Sequence, residues 1–183
     1  MKNDRGPPLN KLGRYKKGPV MTKSALGFDL TPPTDAQKQE LAARLDPEAR
    51  RILLNAGTEA PFCGKFDEYE EEGTYVCNLC ALPLFDSRAK FHSGSGWPSF
   101  YQGIDKDHIR NIVDRSHGMM RIEIRCARCD SHLGHVFEDG PRPTGLRYCL
   151  NSVAMEFVPE GEALPDRLGR GAPEGQPLKI PSA

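Results

Sequence analysis

At 183 residues the chain has room for one ordinary domain with a real core and little for a second. Its 25 Lys and Arg balance 25 Asp and Glu, so no excess charge draws the whole molecule to nucleic acid or to an acidic membrane. No apolar run approaches the length that crosses a bilayer, and the basic N-terminus lacks the apolar stretch of a secretory signal, so a cytoplasmic address is expected.

In chain order, residues 1–33 are rich in Lys, Arg, Gly and Pro and poor in acids, which reads as a disordered basic arm. Thr34 and Gln37 have capping-box spacing and open a short helix through Leu41 and Leu45. Asp46-Pro47 starts a second helix, whose Ile52, Leu53 and Leu54 form an apolar patch before Asn55 and Gly57 end it. From Gly73 the helical period vanishes, and short β-type runs alternate with turns: Thr74–Cys77, Ile109–Val113, Met120–Cys126, Leu146–Asn151 and Ala154–Val158. In Met120–Arg125 apolar and charged residues strictly alternate, as in a strand with one wet face. The domain thus spans 34–158 and is mainly antiparallel β with short N-terminal helices. Residues 159–183 return to Gly, Pro and charge and read as a loose tail in which Leu164–Leu168 can dock locally.

Six cysteines without a secretion signal point to metal binding or catalysis rather than to a disulfide framework. Cys77 and Cys80 form one C-x-x-C, and Cys126 and Cys129 form another, each at a predicted strand end. Two such knuckles suit one structural zinc, whose filled d shell accepts four thiolates and leaves no position open to substrate. With residues 81–125 between the pairs, the metal would staple strands distant in sequence. Ordinary buried cysteines, or a thioredoxin-type pair, do not explain the matched spacing; an iron–sulfur cluster remains open.

Cys63 and Cys149 are left over. Period two in Leu146–Asn151 sets Leu146, Tyr148 and Leu150 on one face and Arg147, Cys149 and Asn151 on the other. A free thiol has a pKa of about 8.5, so a cationic neighbour is the usual means of raising its thiolate fraction, and Arg147 is placed to act so. Asn151 offers an amide that can orient a reacting group. His132 and His135 follow the second knuckle in what reads as a rigid loop; either can donate a proton, bind a second metal or bond within the turn. In Phe91–Phe100, Trp97 and the nearby Phe100 offer an apolar wall suited to a methyl group, although Trp beside Pro is often plain packing.

Together, G-W-P-S-F at 96–100, the two knuckles, H-L-G-H-V-F at 132–137 and R-Y-C-L-N at 147–151 resemble the methionine sulfoxide reductase B family over about Leu53 to Val158. The resemblance implies two antiparallel sheets and a peptide-methionine (R)-S-oxide reductase acting on the R sulfoxide, free or in oxidised proteins. Cys149 would attack the sulfoxide sulfur while His135, assisted by His132, protonates the oxygen, leaving a sulfenic acid. Trp97 would receive the methyl group, and Arg147 and Asn151 would tune and orient. Many relatives carry a resolving cysteine just before G-W-P-S-F, but Ser95 stands there in this chain, so the resemblance makes Cys63 the resolver of a disulfide that thioredoxin reduces. A bystander Cys63 is the competing possibility. The rival class is a zinc-ribbon binding module, which has no need of Cys149.

Overall fold

The computed structural model describes residues 22–171. Two helices come first, α1 (Asp35–Ala43) and α2 (Pro47–Asn55). The α1 capping box closes as its spacing predicts: the Thr34 hydroxyl accepts from the Gln37 N–H at 3.2 Å, and the Gln37 side chain accepts from the Thr34 N–H at 2.9 Å. Asp46 caps α2 by accepting from the Ala49 N–H at 2.8 Å, with Pro47 in the first turn, where no N–H is needed. Ala56, in the left-handed region, ends it. The buried face of α2, Ala49, Ile52 and Leu53, packs on the β domain.

Nine strands follow: β1 (Gly73–Cys77), β2 (Pro83–Asp86), β3 (Lys90–Phe91), β4 (Ser99–Phe100), β5 (Ile109–Asp114), β6 (Arg121–Cys126), β7 (His132–Phe137), β8 (Arg147–Leu150) and β9 (Met155–Pro159). They form two sheets, β2-β1-β9 and β3-β4-β8-β7-β6-β5, with every neighbouring pair antiparallel. The fold is therefore mainly β, with two antiparallel sheets and two short N-terminal helices. Rings from both sheets meet in the core: Phe85 of β2 stacks on Phe100 of β4 at 4.6 Å, and Tyr75 of β1 meets Phe100 edge-on at 5.0 Å. All three are fully buried, and emptying one such site costs about 3–5 kcal/mol.

Some segments differ from the sequence expectation. The stretch expected as a rigid loop at His132 is strand β7, because β6 and β8 pair with it on either side. Of the expected arm, residues 1–21 lie outside the described residues, but 22–33 are packed. Phe28 and Leu30 are buried, the Leu26 N–H donates to Asp105 at 2.9 Å, and Ser24 bonds the fully buried His108 at 2.8 Å. Two apolar side chains and a buried imidazole needing a partner overcome the composition of that stretch. Leu164 and Leu168 dock on the core as expected, and residues 172–183 lie outside the described residues. Among the described residues no helix is long and apolar enough to cross a membrane.

Candidate active site and metal centre

The two C-x-x-C turns fold alike. In the first, the Cys77 N–H donates to Leu82 O at 2.8 Å and the Ala81 N–H to Cys77 O at 2.8 Å; in the second, the Cys126 N–H donates to Ser131 O and the Asp130 N–H to Cys126 O, both at 2.9 Å. The residue after each pair, Ala81 or Asp130, sits at φ near +60°. This places Cys77, Cys80, Cys126 and Cys129 in one buried group whose sulfurs all lie within 4.8 Å of one another. Cys77 and Cys129 are 3.6 Å apart, as are Cys80 and Cys126. A disulfide would need about 2.05 Å. Zinc–sulfur bonds of about 2.3 Å put tetrahedral sulfurs roughly 3.8 Å apart, so the donor set fits a four-coordinate thiophilic ion. Guanidinium groups support the turns from outside: Arg128 donates to Cys80 O at 3.2 Å and to Asp29 O at 2.7 Å, and Arg167 to Asn78 O at 2.6 Å.

β6 runs from this centre to the cleft. Cross-strand register aligns Glu123 of β6, His135 of β7, Cys149 of β8 and Ser99 of β4 in one row on one face. One step along lies a second row, with Asp114 of β5 opposite Arg121 of β6 and Phe137 of β7 opposite Arg147 of β8. The face of β6 expected to be wet is thus the polar wall of the site. Gly134 permits this pairing, since a Cβ there would lie 2.0 Å from Cys149 O. Within the rows, Glu123 bonds His132 Nδ1 at 2.6 Å and accepts from Arg125 at 2.8 Å, while Asp114 bonds His135 Nε2 at 2.8 Å and accepts from Arg121 at 3.0 Å. Burial lowers the His132 pKa against the pull of Glu123. The Ser116 hydrogen bonds, with His135 and Arg121 behind them, hold Asp114 ionised well below the usual carboxylate range.

Cys149 is half-buried and opens on a cleft of about 110 Å³ with Thr58, Trp97, Arg121, His135, Phe137 and Asn151. A larger cleft of about 390 Å³ beside Glu72, Arg88 and Glu160 is lined by no cysteine or histidine. Burial pushes the Cys149 thiol up; Arg147 and the Ser95 hydroxyl draw it only partly back. The expected activation by Arg147 is blunted because its guanidinium forms a two-bond pair with Asp139, both bonds at 2.9 Å, and lies over the Phe137 ring.

The structure brings Trp97, His135, Cys149 and Asn151 to one cleft, with His132 behind His135 at 5.6 Å between rings. The Asn151 amide is held at both ends, accepting from the Glu59 N–H and donating to Leu133 O, both at 3.0 Å. Phe100, expected to help bind substrate, does not line this cleft. Its neighbour Ser99 pairs with Cys149, so alternation turns Phe100 into the core, and Phe137 supplies the second aromatic wall. Cys63 is exposed on the segment whose Phe62 N–H bonds Gly96 O at 2.8 Å, one residue from Ser95. Sequence reasoning missed Glu123, Asp114, Arg121 and Glu59. Strand parity with Cys149 signals the first three, since they share its face; Glu59, a lone acid in a loop, carries no such pattern.

A half-buried sulfur set opposite an imidazole, beside an aromatic wall and on a sheet that also carries a buried four-thiol cluster, is an arrangement suited to a thiol oxidoreductase. Residues 45–159 match the SelR domain. The chain is 58% identical over 150 residues to a peptide methionine sulfoxide reductase MsrB of Caulobacter vibrioides (strain NA1000 / CB15N), covering 82% of this chain and 94% of that one. It is 60% identical over 144 residues to the protein of the same name from Xylella fastidiosa (strain M23), covering 79% and 93%. With that of Pseudomonas putida (strain W619) it shares 54% over 129 residues, covering 70% and 97%. The chain belongs to this MsrB, or SelR domain, family.

Proposed function

We propose that the protein reduces the R epimer of methionine sulfoxide, free or within oxidised proteins, with Cys149 as nucleophile. The single observation that carries this is the row in which His135 lies directly opposite Cys149 in an open cleft walled by Trp97 and Phe137. The Cys149 sulfur attacks the sulfoxide sulfur, and His135 delivers a proton to the oxygen as negative charge grows on it. The oxygen ends on Cys149 as a sulfenic acid and methionine leaves, so the sulfoxide is reduced by two electrons and the thiol oxidised by two. Trp97 and Phe137 receive the methyl group; Asn151 orients the cleft backbone, and His132, fixed by Glu123, backs His135.

Cys63 then condenses with the sulfenic acid, forming the Cys63–Cys149 disulfide and releasing water, and thioredoxin returns both to thiols. The exposure of Cys63 and the hydrogen bond tying its loop to Gly96 support this assignment. Cys77, Cys80, Cys126 and Cys129 would hold one zinc, which supplies structural cross-linking. A reducing, cytoplasmic setting suits six unbridged cysteines.

The test is dithiothreitol-driven turnover of a racemic methionine sulfoxide peptide with the epimers resolved. One epimer should be consumed; equal loss of both defeats the assignment. Cys63→Ser should keep the first step and lose thioredoxin-driven cycling, and unchanged cycling removes the resolver role.

A further inference from the structure

Glu59 takes no part in the steps above, yet four hydrogen bonds meet on it and it is only 7% exposed. Its carboxylate accepts from the Ser152 N–H at 2.6 Å and from the Val153 N–H at 3.3 Å, just after Asn151. That anchor fixes the orientation of its own peptide groups. The Glu59 N–H donates to the Asn151 side-chain oxygen at 3.0 Å, and the Glu59 C=O accepts from the Trp97 indole N–H at 3.2 Å. Two cleft residues from distant parts of the chain therefore bond the two successive peptide groups that flank one residue.

The surrounding loop closes tightly on this anchor. A Cβ on Gly64 would stand 2.6 Å from the Glu59 carboxylate, and the Phe66 N–H bonds the Ser152 hydroxyl at 3.1 Å. If the carboxylate served only to cap the turn at Ser152, its peptide groups would have no reason to face the cleft. Here both of them end on residues that line it.

We infer that Glu59 is a positioning residue for the reaction proposed above, holding the Trp97 indole and the Asn151 amide in register through the peptide groups on either side of it. The inference rests on that reading of the cleft. It also implies that the loop carrying Cys63 is held by the same anchor, because Cys63 lies four residues beyond it.

Trp97 is the sole tryptophan, so its emission reports on the contact without substrate or turnover. The experiment uses the reduced, metal-loaded full chain. Glu59→Gln keeps the size but turns an amide N–H toward a backbone N–H, and should red-shift Trp97 emission and raise its quenching by iodide. It should also lower kcat/KM for a methionine sulfoxide peptide by about 10- to 100-fold, with KM raised through Trp97 and kcat lowered through Asn151. Ser152→Ala removes the bond to Phe66 and the hydroxyl's share in holding the Glu59 carboxylate but leaves both backbone donors to it, so its emission should shift much less than that of Glu59→Gln. Glu59→Asp, which keeps the charge one methylene short, should show the same changes at smaller size and decides the matter if Glu59→Gln does not fold. Wild-type emission together with kcat/KM within about twofold of wild type in the variants that fold overturns the inference, as does an equal emission shift in Ser152→Ala. Absence of turnover in the wild type would defeat the function instead, leaving the emission readout to judge the hold on Trp97.

Discussion

The two places where cysteine matters in this molecule are opposites. At the knuckles, four sulfurs are buried and held by two near-identical backbone turns whose hydrogen bonds repeat bond for bond. At the cleft, one sulfur is half-exposed, and its surroundings are a row of different side chains from four strands. The knuckles are defined by local sequence, the cleft by register. Sulfur is therefore not assigned a role by its own chemistry, but by whether its neighbours are other sulfurs or ionisable groups.

The sharpest break in that contrast is Cys80→Ser against Cys149→Ser. Cys80→Ser is expected to release the metal and to forfeit most of a stability on the order of 10 kcal/mol, read by metal content and thermal melting. Cys149→Ser should lower turnover by at least about 10³-fold while melting and metal content stay as in wild type. A Cys149→Ser protein that also lost its metal would erase the distinction between the two regions.

Phe100→Ala should come next, costing about 3–5 kcal/mol in urea unfolding, because its ring is stacked in the shared core rather than in the cleft. Residual kcat/KM near wild type in the folded fraction would confirm that the ring does not touch substrate.

The smallest effects concern protonation at Cys149. Burial raises its pKa, so alkylation by iodoacetamide in a Cys63→Ser background should be slow at neutral pH and climb only above the ordinary thiol range. The unfolded chain gives up this proton first; the native state then holds more protons, and stability falls as pH rises from the unfolded pKa through the folded one. Asp139→Asn frees Arg147 from its partner and removes a nearby negative charge, so the alkylation midpoint should move down. An upward movement would show that Asp139 holds Arg147 in place rather than competing for it.

Much of the fold was legible because its signals are local. The capping box at Thr34, the Asp46-Pro47 start of α2 and the alternation in β6 each declare themselves within a few residues, and the cysteine spacing does the same for the buried four-cysteine cluster. β7 was not legible, since two histidines and a glycine in six residues look like a loop until β6 and β8 pair on either side. The roles within the cleft were partly hidden for the same reason. Glu123 looked like a solvent-facing charge because only cross-strand pairing brings His135 opposite it and His132 within 2.6 Å. Phe100 was drawn toward the cleft by its nearness to Trp97, although the single-residue step from Ser99 turns it inward.

The guanidinium bonds that brace the knuckles also decide where the two ends of the described chain lie. Arg128 reaches Asp29 near one end, Arg167 near the other holds Asn78, and Arg170 joins the two segments by bonding Thr31. Along β6 the knuckle at Cys126 is roughly 16 Å from Arg121 at the cleft. Both ends of the described segment are therefore fastened on the braced side of the molecule, at the far end of β6 from Arg121 and the mouth of the cleft.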